Sequence, residues 1–247
     1  MTTPTAPSTD SSPFRDPLTE PGAGTRVKVC GITQPSEIGL LTDERADFVG
    51  LWLAVPGGPH DLAPEEWQAL AEDAAGRPQP TPVLVTFTKD VEVLREAVSR
   101  TRVRWIQLHG YPTPGFVRKV KAIGPDVRVI KVLHVKGDEC VEAALIGSYE
   151  KAGTDVFLFD TVSADGRVGS TGESLDAAVV ESLIGRLTRP FLLAGGISAA
   201  NPDRYEALRR HPLFLGIDVD TNARGDDGAI AAEPVRSIVA AWRGDDG

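Results

Sequence analysis

Two residues in this sequence combine a reactive side chain with a place at the end of an apolar run. Cys30 ends the run at 26–30, and Asp160 ends the run at 154–160, within the letters LFDT. A thiolate can remove a proton and a carboxylic acid can supply one, and acid–base catalysis needs such groups on opposite sides of a substrate. The alternatives are a packed cysteine and an aspartate that caps a helix or forms an ion pair.

Glycine-containing segments follow two later runs and could bind an anion. Gly195 ends one run and Gly196 follows it, Thr221 and Asn222 come after the next run, and GSTG at 169–172 precedes both. Backbone N–H groups at glycine-rich turns form anion sites. For each segment taken alone, a tight turn without a ligand is the alternative.

The composition is that of a globular protein with an acidic balance. The 247 residues carry 35 acidic and 26 basic side chains, a net charge of −9. Nucleic-acid binding needs clustered Lys and Arg, so we expect no such partner. Two cysteines and four scattered histidines form no metal-site pattern, and no metal is predicted. Without a signal-peptide pattern or an apolar run of spanning length, we expect a cytoplasmic protein with no membrane contact.

Eight short apolar runs alternate with segments of helical spacing. The runs are 26–30, 47–53, 82–87, 104–108, 127–133, 154–160, 190–195 and 213–219. The alternation predicts parallel strands joined by helical crossovers, and eight units in about 220 residues favour a (β/α)8 TIM barrel over an open doubly wound sheet. We predict one α/β barrel domain over 26–247 and a disordered N-terminal extension, rich in Pro, Ser and Thr, over 1–25.

A TIM barrel places reactive groups at the C-terminal ends of its strands and in the loops that follow. Cys30, Asp160 and both glycine-containing loops meet this rule, and the loops after strands seven and eight are the usual phosphate position. His109, in QLHG after the fourth run, is as readily a packed histidine as a catalytic one. Cys140 falls in a segment of helical spacing (138–153), where packing is the expected role.

Several motifs occur in the order typical of one family. KVCGIT, VGLWL, QLHG, VIKVL, LFDT, GSTG, LLAGGIS and GIDVDTN follow one another along the chain, and together they resemble the phosphoribosylanthranilate isomerases of tryptophan biosynthesis. The resemblance covers essentially the whole predicted barrel. It implies an Amadori rearrangement of an N-linked ribosylamine 5-phosphate, with no redox cofactor or metal.

The resemblance also implies roles for individual residues. Asp160 would be the general acid that protonates the ring oxygen, the ring would open to a Schiff base, and Cys30 would be the general base that removes the C2′ proton. The phosphate would be held by five residues: Gly172, Gly195, Gly196, Thr221 and Asn222. We expect a small phosphosugar-type substrate and a monomer or homodimer.

Three features depart from the family pattern. His60 stands where an arginine usually binds the anthranilate carboxylate, and a neutral histidine cannot make that bidentate contact. His60 is therefore only a candidate aglycone contact. Asp220 occupies the phosphate loop, where a carboxylate repels phosphate unless it points away, and Asn222 is expected to tolerate a left-handed backbone. The segment 169–172 reads Gly-Ser-Thr-Gly instead of Gly-Gly-Thr-Gly.

These departures keep a second hypothesis open. The protein could be a divergent relative that uses the same cysteine and aspartate on another amino-sugar adduct in specialised metabolism. A third hypothesis is a non-catalytic ligand-binding barrel, against which the intact Cys30 and Asp160 argue.

Overall fold

A computed structural model describes residues 18, 24–162 and 174–244. The strands in these ranges are β1 (Arg26–Cys30), β2 (Phe48–Leu53), β3 (Asp61–Leu62), β4 (Thr81–Thr86), β5 (Trp105–Leu108), β6 (Arg128–Lys136), β7 (Glu139–Cys140), β8 (Val156–Thr161), β9 (Phe191–Leu193) and β10 (Phe214–Val219). The helices are α1 (Pro35–Asp43), α2 (Pro64–Ala75), α3 (Val91–Arg100), α4 (Pro114–Lys121), α5 (Ile146–Ala152), α6 (Ala177–Ile184), α7 (Glu206–Arg209) and α8 (Ala232–Arg243).

The sheet closes on itself. Its strands follow the order β1, β10, β9, β8, β6, β5, β4, β2, and β2 pairs again with β1. All eight of these pairings are parallel, and each strand overlaps one of the eight predicted runs. The predicted (β/α)8 barrel is therefore confirmed. The extension predicted over 1–25 lies, apart from residues 18, 24 and 25, outside the described residues.

The helices begin at signals that the sequence carries. Proline occupies the first turn of α1, α2 and α4, where its missing N–H breaks no helical hydrogen bond. Side chains cap other helices: Asp90 accepts the backbone N–H of Glu92 at the start of α3, and Thr113 accepts that of Phe116 at the start of α4. None of the helices in the described ranges combines the length and apolar character needed to cross a bilayer.

Alternate residues of each barrel strand point to opposite faces. One set fills the interior: Cys30, Phe48, Trp52, Val83, Val85, Trp105, Ile130, Val132, Val156, Leu158, Leu192 and Ala194. The intervening set, such as Val27, Val29 and Phe157, belongs to the larger core between the sheet and the helices. The inward parity continues from Leu158 to Asp160 and from Val132 to His134. The interior pattern thus leads directly to polar groups at the C-terminal ends of the strands.

The predicted helix over 138–153 is wrong in its first half. A turn at Gly137, with φ of +60°, reverses the chain, and β7 pairs antiparallel with β6, Cys140 opposite Val135. Cys140 therefore lies in a hairpin and not in a helix. The hairpin returns Glu142 to β6, where its carboxylate accepts the backbone N–H of His134 at 2.9 Å. These buried polar contacts override the local helical spacing, and α5 begins only at Ile146.

Candidate active site

One cleft opens at the C-terminal ends of the barrel strands and unites most of the predicted site. It is lined by Cys30 and Asp160 and by the two glycine-containing loops, through Gly195, Gly196, Thr221 and Asn222. His60 lies beside this cleft, with its Nε2 3.9 Å from the Oδ1 of the lining residue Asp220. Gly172 lies outside the described residues.

Cys30 is almost fully buried at the end of β1. The indole N–H of Trp52 donates to its Sγ at 3.1 Å. Gly50 on the neighbouring β2 leaves the space that the thiol needs, because a Cβ at this position would lie 2.7 Å from Sγ and 2.9 Å from the Nζ of Lys28. The thiol therefore has a hydrogen-bond donor on one side and a lysine ammonium close by.

Lys28 forms a buried ion pair across the strand junction. It faces Asp218 in the register of β1 with β10, and its Nζ donates to both carboxylate oxygens at 2.9 Å. Burial alone lowers the pKa of Lys28, but Asp218 and Cys30 outweigh it, and the net pKa is raised. Burial also raises the pKa of Cys30 to about 12, with Lys28 and Trp52 opposing that rise. Cys30 is consequently a thiol at neutral pH, and its thiolate depends on these two neighbours.

Asp160 begins a chain of hydrogen-bonded side chains. Its Oδ1 accepts the backbone N–H of Thr161 at 2.9 Å, and its Oδ2 lies 3.3 Å from the Nε2 of His109. The Nδ1 of His109 lies 3.0 Å from the Nε2 of His134, and the Nδ1 of His134 lies 2.8 Å from Glu142. His109, which the sequence left open between packing and catalysis, is in contact with the predicted general acid.

The two glycine-containing loops meet at one side of the cleft. Gly195 and Gly196 have φ of +79° and +64°, and a Cβ at Gly195 would lie 2.6 Å from the hydroxyl of Thr161, so glycine is required there. The side-chain amide of Asn222 donates to the carbonyl of Ile197 at 2.8 Å and ties the loops together. Asn222 does not have a positive φ, so its backbone does not adopt the left-handed conformation that asparagine was expected to tolerate there.

Arg224 lies beside two of the residues that depart from the family pattern, Asp220 and His60. Its guanidinium donates to Asp220 Oδ1 at 2.8 and 2.6 Å and to the carbonyl of Gly31 at 2.9 Å. The charge of Asp220 is therefore paired. A Cβ at Gly31 would lie 2.5 Å from Arg224 Nη2 and 2.7 Å from His60 Cδ2, so these two side chains meet above Gly31. Burial, with Arg224 second, lowers the pKa of His60 and keeps it neutral at pH 7.

Sequence reasoning missed several residues that shape the cleft. Three of them could have been found from strand alternation. Lys28 lies two residues before Cys30 and points to the same face of β1, and Asp218 and Trp52 point inward from the neighbouring strands β10 and β2. Gln107 lines the same cleft, is 2% exposed, and its Oε1 has no hydrogen-bond partner among the described residues. Within those residues, no three His, Cys, Asp or Glu side chains form a group that could hold a metal ion.

The comparison with protein families decides the relationship. The model of the family described as N-(5'phosphoribosyl)anthranilate (PRA) isomerase matches residues 27–240. The chain belongs to the PRA isomerase family. The membership expected from the motifs KVCGIT to GIDVDTN is thereby confirmed.

Individual relatives agree with this membership over nearly their whole length. The N-(5'-phosphoribosyl)anthranilate isomerase of Methanocella arvoryzae is 30% identical over 224 residues, which cover 87% of this chain and 98% of the relative. The one from Xanthomonas oryzae pv. oryzae is 31% identical over 217 residues, covering 87% and 91%. The crystal structure of the Thermus thermophilus phosphoribosyl anthranilate isomerase, 28% identical, superposes with a TM-score of 0.71 over 88% of this chain and 98% of that one.

Proposed function

We propose that the protein converts N-(5'-phosphoribosyl)anthranilate into the corresponding 1-amino-1-deoxyribulose 5-phosphate, a step of tryptophan biosynthesis. Membership of the PRA isomerase family supports this proposal. The observation that carries it is the shared cleft, in which Cys30, Asp160 and two glycine-containing loops face the same space. A buried base, an acid and an anion site are what this isomerisation needs.

Asp160 acts first, as the general acid. The substrate nitrogen donates its lone pair to form a C=N bond as the bond between C1′ and the ring oxygen breaks. The ring oxygen keeps the bonding electrons and takes the proton from Asp160. The contact of Asp160 with His109, 3.3 Å between Oδ2 and Nε2, supports this role because it fixes the orientation of the carboxyl group in the cleft.

Cys30 acts second, as the general base. Its thiolate takes the proton from C2′, the C–H electrons form a C1′=C2′ bond, and the nitrogen regains its lone pair. The enolamine becomes the ketone when a proton leaves the 2′-oxygen and another adds to C1′. Trp52 and Lys28 support the role, since both stabilise a negative charge on the sulfur.

Other groups hold the substrate. The phosphate would bind to backbone N–H groups of the loops at Gly195–Gly196 and Thr221–Asn222. The unpartnered Oε1 of Gln107 would accept a hydrogen bond from a sugar hydroxyl, which removes the cost of leaving a buried acceptor unsatisfied. The anthranilate carboxylate would lie near His60 and Arg224, the two nitrogen-bearing side chains that meet above Gly31 beside the cleft.

The decisive experiment is a turnover assay. The purified protein is incubated with freshly prepared N-(5'-phosphoribosyl)anthranilate, and the loss of its fluorescence is followed. We expect saturable turnover that needs no added metal or cofactor. A folded sample that leaves the fluorescence unchanged would contradict the proposed function.

The position of His60 favours one further candidate substrate, an adduct without the anthranilate carboxylate. The family arginine is absent there, and Arg224 is already paired with Asp220. Assays with N-(5'-phosphoribosyl)aniline alongside the anthranilate compound distinguish the two. If Arg224 binds the carboxylate, Arg224→Met raises KM for the anthranilate compound alone. A wild-type preference for the aniline compound would select the second candidate.

We also infer that one chain suffices for the reaction. The acid, the base and the two phosphate loops all come from one barrel. A monomer or homodimer in the cytoplasm is the assembly that we expect, and light scattering of the purified protein measures it. Activity that appears only in a larger assembly would contradict this expectation.

A further inference from the structure

The chain that begins at Asp160 extends beyond the cleft into the protein. Asp160, His109, His134 and Glu142 are joined by contacts of 3.3, 3.0 and 2.8 Å. All four are buried: 8, 6, 0 and 3% of their surfaces are exposed. Only Asp160 and His109 line the cleft. The reaction proposed above assigns no role to the two inner residues, although burying them has a substantial desolvation cost.

The inner end of the chain has a defined protonation state. Burial by itself raises the pKa of Glu142, but hydrogen bonds from His134 and the charge of Lys131 prevail and lower it to about 2. Glu142 is thus a carboxylate that only accepts hydrogen bonds. It accepts from Lys131 Nζ at 2.9 Å and from the backbone N–H of His134. The remaining contact, 2.8 Å long, therefore requires a proton on Nδ1 of His134.

Two arrangements of protons are available to the rest of the chain. In the first, His134 is neutral, its Nε2 accepts the Nδ1–H of His109, and the Nε2 of His109 accepts a hydrogen bond from a protonated Asp160. This arrangement gives up the hydrogen bond from the backbone N–H of Gly110 to Nδ1 of His109. In the second, His134 is an imidazolium that donates through both nitrogens. His109 Nδ1 then accepts from His134 and from the backbone N–H of Gly110 at 3.2 Å, while its Nε2–H donates to the Asp160 carboxylate.

The two arrangements contain the same number of protons. They interconvert when the Nε2 proton of His134 moves to His109 Nδ1 as the Nε2 proton of His109 moves to Asp160. An arrangement with Asp160 ionised and both histidines neutral is excluded by geometry. With the His109 proton on Nε2, it would bring two nitrogen lone pairs together across the 3.0 Å contact between the rings. With that proton on Nδ1, it would set the Nε2 lone pair of His109 against the Asp160 carboxylate at 3.3 Å.

We propose that His109, His134 and Glu142 are positioning residues that form a proton relay, which keeps available the proton that Asp160 donates. The relay rests on the proposed function, because Asp160 is its point of delivery. When Asp160 gives its proton to the ring oxygen, the relay is left one proton short. After product release, Cys30 gives the C2′ proton to solvent in the cleft and solvent returns one proton to the relay, so the cycle is balanced. Burial lowers the pKa of His134, and the hydrogen bond to the Glu142 carboxylate opposes that fall. Glu142 therefore keeps a second proton on His134 within reach.

The other titratable groups around the relay come from four elements. Lys131 on β6 pairs with Glu142, Cys140 on β7 precedes it by two residues, Tyr111 packs against the His134 ring with centroids 4.2 Å apart, and Tyr149 on α5 lies 4.8 Å from Lys131 Nζ. Across the barrel, Asp218 on β10 and Asp160 interact electrostatically. Lys131 opposes proton storage on His134 and Glu142 favours it, whereas the tyrosines are neutral at pH 7.

The test is the pH dependence of kcat/KM with N-(5'-phosphoribosyl)anthranilate. In Glu142→Gln the relay loses its anchoring charge. Because the raised pKa of Cys30 sets the basic limb of the profile, this loss moves the acidic limb to lower pH. We expect a shift of about 1 unit or more, the effect of an opposite charge at ~4–6 Å. Glu142→Asp keeps a carboxylate at this position, and we expect its profile to lie close to that of the wild type. The control Glu139→Gln removes an exposed carboxylate from the same hairpin and leaves the profile unchanged.

A second variant guards against loss of folding. Glu142→Gln leaves Lys131 buried without its counter-charge, whereas the double variant Lys131→Met/Glu142→Gln removes both charges together. We expect the double variant to fold and to show the same direction of shift. An acidic limb that matches the wild type in either folded variant overturns the relay.

Nitrogen-15 NMR of the histidine rings, in the protein without substrate, separates the relay from the proposed function. We expect Nδ1 of His134 to carry a proton throughout the accessible pH range, and its signal to shift in Glu142→Gln, where a neutral amide replaces the carboxylate. If these signals appear but the substrate is not turned over, the relay stands and the proposed function fails. If His134 Nδ1 carries no proton, the relay fails whatever the activity.

Discussion

The two sides of the cleft surround their reactive groups differently. Cys30 lies against a fixed ion pair, Lys28 with Asp218, in a buried part of the barrel. Asp160 lies at the end of hydrogen-bonded imidazoles that lead to Glu142. The charges around Cys30 are fixed in a single ion pair. The relay proposed beside Asp160 has two arrangements of its protons.

This difference shows how one barrel can support a base and an acid together. The basicity of Cys30 follows from burial and from the position of a neighbouring cation, so it responds to substitutions of charge. Asp160 is hydrogen-bonded to a chain of side chains that ends at Glu142, so its proposed role as acid should respond to substitutions several contacts away. Four changes would break or sharpen this comparison.

The largest effect is expected from removing either reactive group. Cys30→Ala and Asp160→Asn each lower kcat by about 10²- to 10⁴-fold, the usual contribution of a general acid or base. Steady-state assays on folded variants measure the loss. Cys140→Ala is the matched control, because its thiol lies on the β6–β7 hairpin, and it should keep wild-type activity. Near-normal turnover by Cys30→Ala or Asp160→Asn would remove that residue from the mechanism.

The next effect concerns stability on the cysteine side. Lys28→Met leaves the Asp218 carboxylate buried without its partner, which costs about 3–5 kcal/mol of unfolding free energy. Urea denaturation measures the change. The control Arg95→Ala breaks an exposed pair with Glu92 and should cost no more than ~1 kcal/mol. Equal costs for the two substitutions would show that the Lys28 pair is not desolvated.

A smaller effect concerns the pH dependence of stability on the aspartate side. The folded-state pKa of Glu142 is lowered from 4.5 to about 2, so its contribution is complete above pH 4.5 and is lost as the pH falls towards 2. The full contribution is about 3 kcal/mol at most, by linkage. Urea denaturation between pH 6 and 2 should show a steeper loss in the wild type than in Glu142→Gln. Parallel curves would mean that Glu142 is not held as a carboxylate.

The smallest effect comes from a single hydrogen bond. Trp52→Phe keeps an aromatic ring in the barrel but removes the N–H that donates to the Cys30 sulfur. A net loss of ~1 kcal/mol for the thiolate predicts a decrease in kcat of about threefold to tenfold at fixed pH. The decrease should shrink at high pH, where the thiolate forms without help. A decrease independent of pH would indicate altered packing instead.

Much of the fold and half of the site could be predicted because their signals are local. Apolar runs, helix-starting prolines and glycine-rich turns each occupy a few consecutive residues. The failure at 138–153 came from side-chain contacts that helical spacing does not reveal, since the hairpin lets Glu142 reach Lys131 and His134, 11 and 8 residues earlier. Neither Glu142 nor His134 carries a motif that distinguishes it from an ordinary polar residue.

The sequence by itself determined the barrel, the family and the positions of Cys30 and Asp160, because each follows from residue order along strands that end at one face. Only the tertiary structure decided which groups meet there. Lys28 contacts Asp218 across 190 positions, and Arg224 reaches Gly31 across 193. The closure of the sheet makes these contacts, and burial makes them strong, because charges removed from water interact with little screening.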